Sequence, residues 1–230
     1  MSIYAISDLH LSFNDNKPMD IFGDIWINHT DKIKENWESI ITDEDLVIIP
    51  GDLSWATYLE NTFDDFMYLS NMPGKKIILK GNHDYWWTTI KKMNTYLNEK
   101  GIKNIEFLLN NSFFYNDWII CGTRGWGITG DKSDNTIFKR EKIRLELSLE
   151  SGIQNYGKDK NILVAMHYPP FNSKEELNFT EIMKKYNVKK CIYGHLHGVG
   201  HRDIVEGYID EIEYNMVSCD YTNLKLKKIV

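Results

Sequence analysis

The sequence predicts a four-layer α/β/β/α sandwich, in which two mixed sheets are stacked and flanked by helices. Most of the chain alternates short apolar runs, typical of buried strands, with stretches in which apolar residues recur at helical spacing. Residues 105–121 and 207–230 instead have the patterns of antiparallel strands. A second sheet stacked on the first would bury both kinds of strand.

The first hundred residues predict three strand-then-helix units. The predicted strands are 3–6, 46–49 and 76–79, and the predicted helices are 31–41, 55–70 and 85–99. In the first helix, Ile33, Trp37 and Ile40 would share one face. Repeated units of this kind form a parallel sheet with helices packed against it.

The second half of the chain begins with predicted hairpins. Asn110-Asn111 and Asn116-Asp117 are turn residues between apolar runs, which predicts three antiparallel strands over 105–121. The remaining predicted elements are a helix at 137–150, a strand at 162–166, a helix at 174–186, a strand at 191–193 and antiparallel strands from 207 to 230. Because no linker or repeat interrupts the pattern, we predict a single domain over residues 1–230.

Composition narrows the class of protein. The 230 residues are 42% hydrophobic and 26% charged, as in ordinary globular domains. The net charge of -6 argues against an electrostatic grip on nucleic acid. Three widely spaced cysteines favour neither a disulfide framework nor a cysteine zinc site. With no evident signal peptide and no membrane-spanning run, we expect a cytoplasmic protein without a membrane partner.

The functional signal is the set of polar residues that follow the predicted strands. Metal-binding residue types follow strands in five places: Asp8-Leu9-His10, Gly51-Asp52, Gly81-Asn82-His83-Asp84, His167 and Gly194-His195-Leu196-His197. Groups at the carboxyl ends of parallel strands gather at one edge of a sheet. The set is larger than one ion needs, but it suits two ions that share a bridging carboxylate.

These motifs resemble those of the calcineurin-like metallophosphoesterase superfamily, and of its small bacterial members in particular. They run from residue 8 to residue 197, so the resemblance covers most of the chain. It implies a double β-sandwich flanked by helices, in agreement with the fold predicted above. It also implies the ligands: Asp8, His10, Asp52 and His197 for the first metal, and Asp52, Asn82, His167 and His195 for the second, with Asp52 as the bridge. His83 is implied as the histidine that faces the substrate.

The chemistry that the resemblance implies requires these residue types. Two cations about 3.5–4 Å apart convert a bridging water to hydroxide at neutral pH and neutralise phosphoryl oxygens during in-line attack. His83 would protonate the leaving alkoxide or stabilise charge on the phosphate. Mn²⁺, Fe and Zn²⁺ all suit mixed carboxylate and imidazole ligands.

The sequence departs from one branch of the family. Protein Ser/Thr phosphatases continue the second motif with an arginine that grips phosphate, whereas residues 51–56 contain none. This argues against a phosphoprotein substrate, and we expect a small-molecule phosphate ester. Arg124, which follows an apolar strand, is the candidate substrate-binding residue; the alternative is an ordinary surface arginine.

Other residues allow two interpretations. Asp84 is expected either to orient a neighbouring histidine or to cap the following helix. Aromatic residues near the motifs could stack on a flat group of the substrate or fill the core: Trp55, Trp86, Trp87, Trp126, Tyr168 and Phe171. His29 and His201 belong to no motif, and we interpret them as surface residues.

The leading functional hypothesis is a hydrolase that uses two metal ions on a phosphomonoester or phosphodiester. One alternative is a catalytically silent scaffold of the same fold that binds a protein partner; such relatives lose ligand histidines, and every expected ligand is present here. The other is a nuclease, against which the acidic net charge argues. The sequence determines neither the substrate, the metals nor the oligomeric state.

Overall fold

Short aliphatic runs form the strands of two stacked sheets. The computed structural model describes residues 1–15, 17–127, 132–171 and 179–230, except for the side chains of 132–134. The strands are Ile3–Ala5 (β1), Leu46–Ile49 (β2), Lys75–Ile78 (β3), Ile105–Phe107 (β4), Phe113–Tyr115 (β5), Trp118–Thr123 (β6), Asn161–Met166 (β7), Lys190–Tyr193 (β8), Gly207–Ile209 (β9), Ile212–Met216 (β10) and Lys227–Lys228 (β11).

Both sheets are mixed. The first has the strand order β11-β1-β2-β3-β4, in which β1 to β4 run parallel and β11 is antiparallel to β1. The second has the order β5-β6-β7-β8-β10-β9, in which the inner strands are parallel and the two edge strands are antiparallel to their neighbours.

Helices cover the outer face of each sheet. The α-helices are His29–Ile40 (α1), Phe63–Asn71 (α2), Ile90–Glu99 (α3), Lys132–Tyr156 (α4) and Thr180–Lys185 (α5), and short 3-10 helices lie at Asp20–Phe22, Asp24–Trp26, Leu59–Thr62 and Gly198–Asp203. The first three α-helices pack on the first sheet, and α4 and α5 pack on the second. Within the described residues, no helix is both long and apolar enough to cross a bilayer.

The alternation of side chains along β2 produces the layers. Val47 and Ile49 face the core under the helices, whereas Leu46 and Ile48 face the second sheet. Both faces of the strand are therefore buried, which explains its uninterrupted apolar sequence. The predicted four-layer sandwich of two mixed sheets is confirmed.

One predicted hairpin is wrong. The strands before and after Asn110-Asn111 belong to different sheets, because β4 pairs with β3 and β5 pairs with β6. The Asn111 side chain accepts from Leu109 N at 2.7 Å and donates to Phe107 O at 3.1 Å, and this turn carries the chain between sheets. Turn residues predict a chain reversal, but they do not determine which sheet the next strand joins. The hairpin around Asn116-Asp117 is confirmed.

Two predicted helices begin later than expected. The helix predicted from residue 55 begins at Phe63, because Trp55 N instead donates to Leu11 O at 2.9 Å in a loop beside the site. The helix predicted from residue 85 begins at Ile90, where the Thr89 hydroxyl accepts from Lys92 N. The predicted helix at 137–150 lies within α4, and α4 extends beyond it at both ends. Residues 174–178 of the last predicted helix lie outside the described residues, and α5 accounts for the rest.

Candidate metal centre

The candidate site lies where the loops after five strands meet. The loops follow β1, β2, β3, β7 and β8, whose carboxyl ends reach the same edge of the sandwich. The side chains that meet there are Asp8, His10, Asp52, Asn82, His83, His167, His195 and His197. The structure thus brings together every residue that the sequence analysis predicted as a ligand, and His83 beside them.

Backbone hydrogen bonds tie these loops to one another. Asp8 N donates to Gly51 O and His10 N donates to Asp52 O, both at 3.0 Å. Three of these residues and His195 have positive φ angles: 60° for Asp8, 47° for His10, 50° for Asp52 and 74° for His195. Left-handed backbone costs a non-glycine residue about 1 kcal/mol or more, and such residues cluster at functional sites.

Two motif positions require glycine because atoms of neighbouring residues lie too close to leave room for a Cβ. A Cβ on Gly81 would overlap the carboxylate and the backbone nitrogen of Asp52. A Cβ on Gly194 would overlap the carboxylate of Asp8 and the hydroxyl of Ser7. Any larger residue at either position would displace the loops that carry the candidate ligands.

The first group of candidate ligands centres on Asp8. Its Oδ2 accepts from Ser218 Oγ at 2.8 Å and from His195 N at 3.1 Å, which leaves Oδ1 directed at the histidines. His197 Nε2 lies 3.3 Å from Asp8 Oδ1 and 3.5 Å from His10 Nε2. These three side chains form a group that could hold a metal ion.

The second group centres on His167. Its Nε2 lies 2.6 Å from Asn82 Oδ1, 3.2 Å from His195 Nδ1 and 3.5 Å from Asp52 Oδ2. The same Asp52 oxygen lies 3.9 Å from His10 Nε2 in the first group. Asp52 Oδ2 therefore lies close to both groups, as a shared carboxylate would. Asp8 Oδ1 also approaches both, at 3.3 Å from His197 Nε2 and 3.9 Å from His167 Nδ1.

The donor set of the second group fits a cation. Burial lowers the pKa of His167 to about 3, so the ring is neutral and carries a single N–H. Pro50 O lies 3.0 Å from His167 Nδ1 and can only accept, which favours the tautomer in which Nδ1–H donates to this carbonyl. His167 Nε2 therefore presents a lone pair toward the oxygens of Asn82 and Asp52, and a positive ion between such groups removes their repulsion.

The charges of the site also favour a bound cation. Burial, and then the carboxylates of Asp8 and Asp84, raise the pKa of Asp52 to about 9. Burial lowers the pKa of His197, but hydrogen bonds to Asp220 and Asp8 outweigh it and raise that pKa to about 10. Both shifts have the direction expected where buried carboxylates lack a compensating cation, and bound divalent cations would balance that negative charge.

Asp84 joins the two central loops. Its fully buried carboxylate accepts from Gly81 N at 2.7 Å, from the backbone nitrogens of the second motif and from Trp86 Nε1. The second-motif donors are Asp52 N, Leu53 N and Ser54 N at 2.9, 3.0 and 3.2 Å. Neither predicted role describes these contacts, because within the described residues the Asp84 carboxylate accepts no hydrogen bond from a histidine and Thr89 caps the next helix.

Sequence reasoning missed Asp220. Its Oδ1 accepts from His197 Nδ1 at 2.9 Å, and its Oδ2 lies 3.3 Å from Gly198 N and 3.2 Å from His201 Nε2. Such a carboxylate fixes the orientation of a metal-binding imidazole. A signal for Asp220 was present, because it follows the β10 strand as the other site residues follow theirs.

The two histidines interpreted as surface residues are half-buried. His201 contacts Asp220, as described above. His29 places its ring nitrogens 3.2 Å from Trp26 O and 3.1 Å from Leu9 O, so it braces the loop after the first motif. Neither residue belongs to a recognisable motif, and their positions depend on how distant loops fold together.

His83 lies at the edge of the ligand groups. Its backbone N–H donates to Asp52 Oδ1 at 2.8 Å, and its ring centroid is 5.6 Å from that of His10 and 4.5 Å from that of Trp55. Burial lowers the pKa of the His83 imidazole. Its Nδ1 is buried and has no hydrogen-bond partner among the described residues.

Some of the aromatic residues near the motifs pack in the core, and others lie beside the candidate ligands. Trp86 and Trp87 pack in the core under the first sheet, and Phe171 packs against Tyr214 in the second. Trp55 stacks on His10 with ring centroids 4.8 Å apart, and the ring centroids of Tyr168 and His195 are 4.1 Å apart. Trp126 lies 5.4 Å from Tyr168, one ring further from the ligands.

Arg124 lies apart from the ligand groups. Its guanidinium is 4.6 Å above the Trp126 ring and 3.9 Å from Glu141 Oε1, and its side chain is 15% exposed. It lines a separate cavity of ≈ 370 Å³ together with Lys80, Arg140 and Arg144. Its carbonyl accepts from His167 N at 3.1 Å. It is not an ordinary surface arginine, and its role in substrate binding stays a prediction.

The fold and the Asp/His cluster define a metal-dependent phosphoesterase class, and comparison with known families agrees. Residues 1–199 match the calcineurin-like phosphoesterase family, and the chain belongs to that family. The predicted resemblance is thereby confirmed. No curated protein shows a significant match to the sequence.

Two solved structures share the fold over nearly the whole chain. The protein of unknown function AQ665 from Aquifex aeolicus is 18% identical, with 99% of this chain and 95% of that chain covered and a TM-score of 0.50. TT1561 of Thermus thermophilus is 14% identical, with 99% and 97% covered and a TM-score of 0.58. At these identities the likeness concerns the fold alone.

Proposed function

We propose that this protein hydrolyses a phosphomonoester or phosphodiester with two divalent or transition-metal ions, and that residues 1–230 act as one domain. The observation that carries the proposal is the convergence of two lone-pair-rich groups on Asp52 Oδ2, which lies 3.9 Å from His10 Nε2 and 3.5 Å from His167 Nε2. A shared carboxylate of this kind is typical of two-metal hydrolases.

The ligand assignment is the one that the family resemblance implies, and the distances within the two groups support it. Asp8, His10, Asp52 and His197 would hold one ion, and Asp52, Asn82, His167 and His195 would hold the other. The mixture of carboxylate, amide and imidazole donors suits Mn²⁺, Fe or Zn²⁺. Two such ions, when bound, generate hydroxide from water at neutral pH and neutralise phosphoryl oxygens.

The protein's own residues position the reactants. Asp220 holds the His197 ring by its Nδ1, and Asp84 fixes the loops of Asp52 and Asn82 by their backbone. His83 lines the cavity beside His10 and His197, where its imidazole could hydrogen-bond an oxygen of the phosphate ester. A nearby phosphate would raise the lowered pKa of His83, so that the ring can give a proton to the leaving oxygen.

Metal removal and add-back test the proposal. The chelated protein, with and without Mn²⁺ or Zn²⁺, is assayed on nitrophenyl phosphate and bis(nitrophenyl) phosphate, and bound metal is counted by elemental analysis. We expect turnover only with metal and two ions per chain. Asp52→Asn should lose metal and at least about 10³-fold in kcat, since the shared carboxylate serves both ions.

The matched control is Asp45→Asn, another buried carboxyl, which accepts from Ser2 N and Thr42 N far from the site. It should keep both metals and near wild-type turnover per folded molecule. Near wild-type turnover by Asp52→Asn would contradict the two-metal site. Absence of both metal and turnover in the wild type would favour the scaffold alternative, and a preference for nucleic acid over both esters would favour the nuclease.

A further inference from the structure

An apolar cavity opens directly beside the candidate metal centre. Its volume is ≈ 730 Å³, within the range of small-molecule sites. The floor of the cavity includes the rings of His10, His83 and His197. The remaining wall is largely apolar and is formed by Met19, Phe22, Ile25, Trp26 and Trp55.

Two tryptophans of the cavity wall lie against the histidines of the candidate metal centre. Trp55 lies 4.5 Å from His83 and 4.8 Å from His10, as ring centroids. Trp26 lies 6.0 Å from His10 and 5.8 Å from His197. A substituent of a phosphate ester bound near the ligand side chains would therefore have these indoles within reach.

The residues that line the cavity favour an uncharged substituent over a second anionic group. Among the described lining residues none is a lysine or an arginine, and the carboxylate of Asp220 contacts His197 and His201. Lys17 lies 5.1 Å above the Trp55 ring but does not line the cavity. The His197 ring is already paired with the carboxylates of Asp8 and Asp220, so a carboxylate or further phosphate would gain little from it, and the desolvation of that anion would oppose binding.

The apolar surface continues out of the cavity. Phe22 is 64% exposed, and its chain neighbour Ile21 is 72% exposed. Val199, which follows the lining residue Gly198, is 82% exposed. Exposed apolar side chains beside an apolar cavity are typical of a ligand-binding surface.

We propose that the cavity binds the alcohol part of the substrate, and that the substrate is a phosphate ester of an apolar, uncharged alcohol. This rests on the proposed function. Water would form the new bond to phosphorus while the P–O bond to the alcohol breaks. One proton of the water ends on the leaving oxygen through His83, and the other stays with the phosphate product.

A homologous series of substrates tests the proposal. Hydrolysis of ethyl, butyl, hexyl and octyl monophosphates is measured below their micelle concentrations, with phenyl phosphate and glycerol 3-phosphate as aryl and polar arms. We expect kcat/KM to rise about two- to four-fold per methylene until the cavity is filled, because each buried methylene adds apolar contact. A flat series, or a preference for glycerol 3-phosphate, would overturn the proposal.

Two variants locate the effect. Phe22→Ser should lower the octyl-to-ethyl ratio of kcat/KM about five-fold, because the lost ring is part of the wall. Since Phe22 is largely exposed, the change should not affect folding. The control is Tyr208→Ser, which removes an aromatic side chain that is 73% exposed on the edge strand β9 and should leave the ratio unchanged. Equal effects of the two variants would contradict the assignment.

Binding without turnover separates this proposal from the proposed function. Ethyl and octyl phosphonates, which cannot be hydrolysed at a P–O–C bond to the chain, are titrated into the metal-loaded protein by calorimetry. Tighter binding of the octyl compound, weakened by Phe22→Ser, supports the cavity assignment even if no ester is hydrolysed. Binding that ignores chain length overturns the assignment, whereas chain-length-dependent binding without any turnover overturns only the proposed function.

Discussion

The two sides of the site are built differently. On the ligand side, the side chains follow strand ends, and their loops are joined by hydrogen bonds to the backbone and to the buried carboxylate of Asp84. On the cavity side, the wall is carried mainly by the long connection between β1 and α1, which contains two short 3-10 helices. Asp8 and His167 are fully buried, whereas Phe22 is largely exposed.

This difference separates the requirements of chemistry from those of recognition. Metal-assisted displacement depends on ligand positions fixed to a few tenths of an ångström, and strand ends tied together by hydrogen bonds provide that precision. An apolar wall acts through contact area, so it tolerates irregular loops and partial exposure. We therefore expect substitutions on the ligand side to affect metal and turnover, and substitutions on the cavity side to affect preference among substrates.

The largest effect is expected at Asp84. In Asp84→Asn, the amide NH₂ would face backbone N–H groups that now donate to a carboxylate, and buried donors would lose their partner. We expect a loss of about 3 kcal/mol in the free energy of unfolding and at least about 100-fold in kcat/KM, since the loop of Asp52 would shift. Urea unfolding and steady-state kinetics measure the two losses.

The control for this prediction is again Asp45→Asn. Its carboxylate also accepts backbone N–H groups while buried, at 2.7 Å from Ser2 N and 2.9 Å from Thr42 N. It should lower stability but leave kcat/KM of the folded protein unchanged. Wild-type kinetics in Asp84→Asn would mean that the ligand loops do not depend on this carboxylate.

A smaller effect is expected at Asp220. Asp220→Asn keeps the shape of the side chain but weakens the hydrogen bond that orients His197. We expect metal affinity to fall about 10- to 100-fold, as measured by competition with a chelator, and turnover at saturating metal to fall less. His201→Asn leaves the bond between Asp220 and His197 in place and should change metal affinity much less. Equal losses in both variants would assign the effect to the cavity wall instead.

The same contrast explains what the sequence could predict. The ligand side chains were predictable because each follows a strand, and apolar runs define strands without further context. Trp26 and Phe22 lie in a connection that has no periodicity, so their position beside His10 depends on how that loop folds. The donors to Asp84 come from chain segments about thirty residues apart, and no local pattern links them. The hairpin predicted at Asn110-Asn111 was wrong for the same reason, since only tertiary contacts determine which sheet the next strand joins.

The smallest effect is expected at Asp65, which lies at the junction between the ligand side and the cavity side. Its carboxylate accepts hydrogen bonds from Phe13 N at 3.1 Å and from the hydroxyl of Ser54. Burial raises the pKa of Asp65 to about 6, above its usual value in an unfolded chain. Between about pH 4 and pH 6 the folded state therefore holds more protons than the unfolded state, and stability falls as the pH rises. Asp65→Asn removes this dependence.

Urea unfolding of both proteins at pH 4, 5, 6 and 7 measures the difference. The stability of Asp65→Asn minus that of the wild type should rise by about 2 kcal/mol across this range. Asp45→Asn should show no such rise over this range, because hydrogen bonds outweigh burial and lower the pKa of Asp45, so its contribution to stability is lost only below about pH 4. If Asp65→Asn follows the wild type at every pH, the carboxyl is hydrated in solution. The Asp65 carboxylate would then contribute no buried hydrogen bond to the junction, and the backbone bond from Trp55 N to Leu11 O would still join the two sides there.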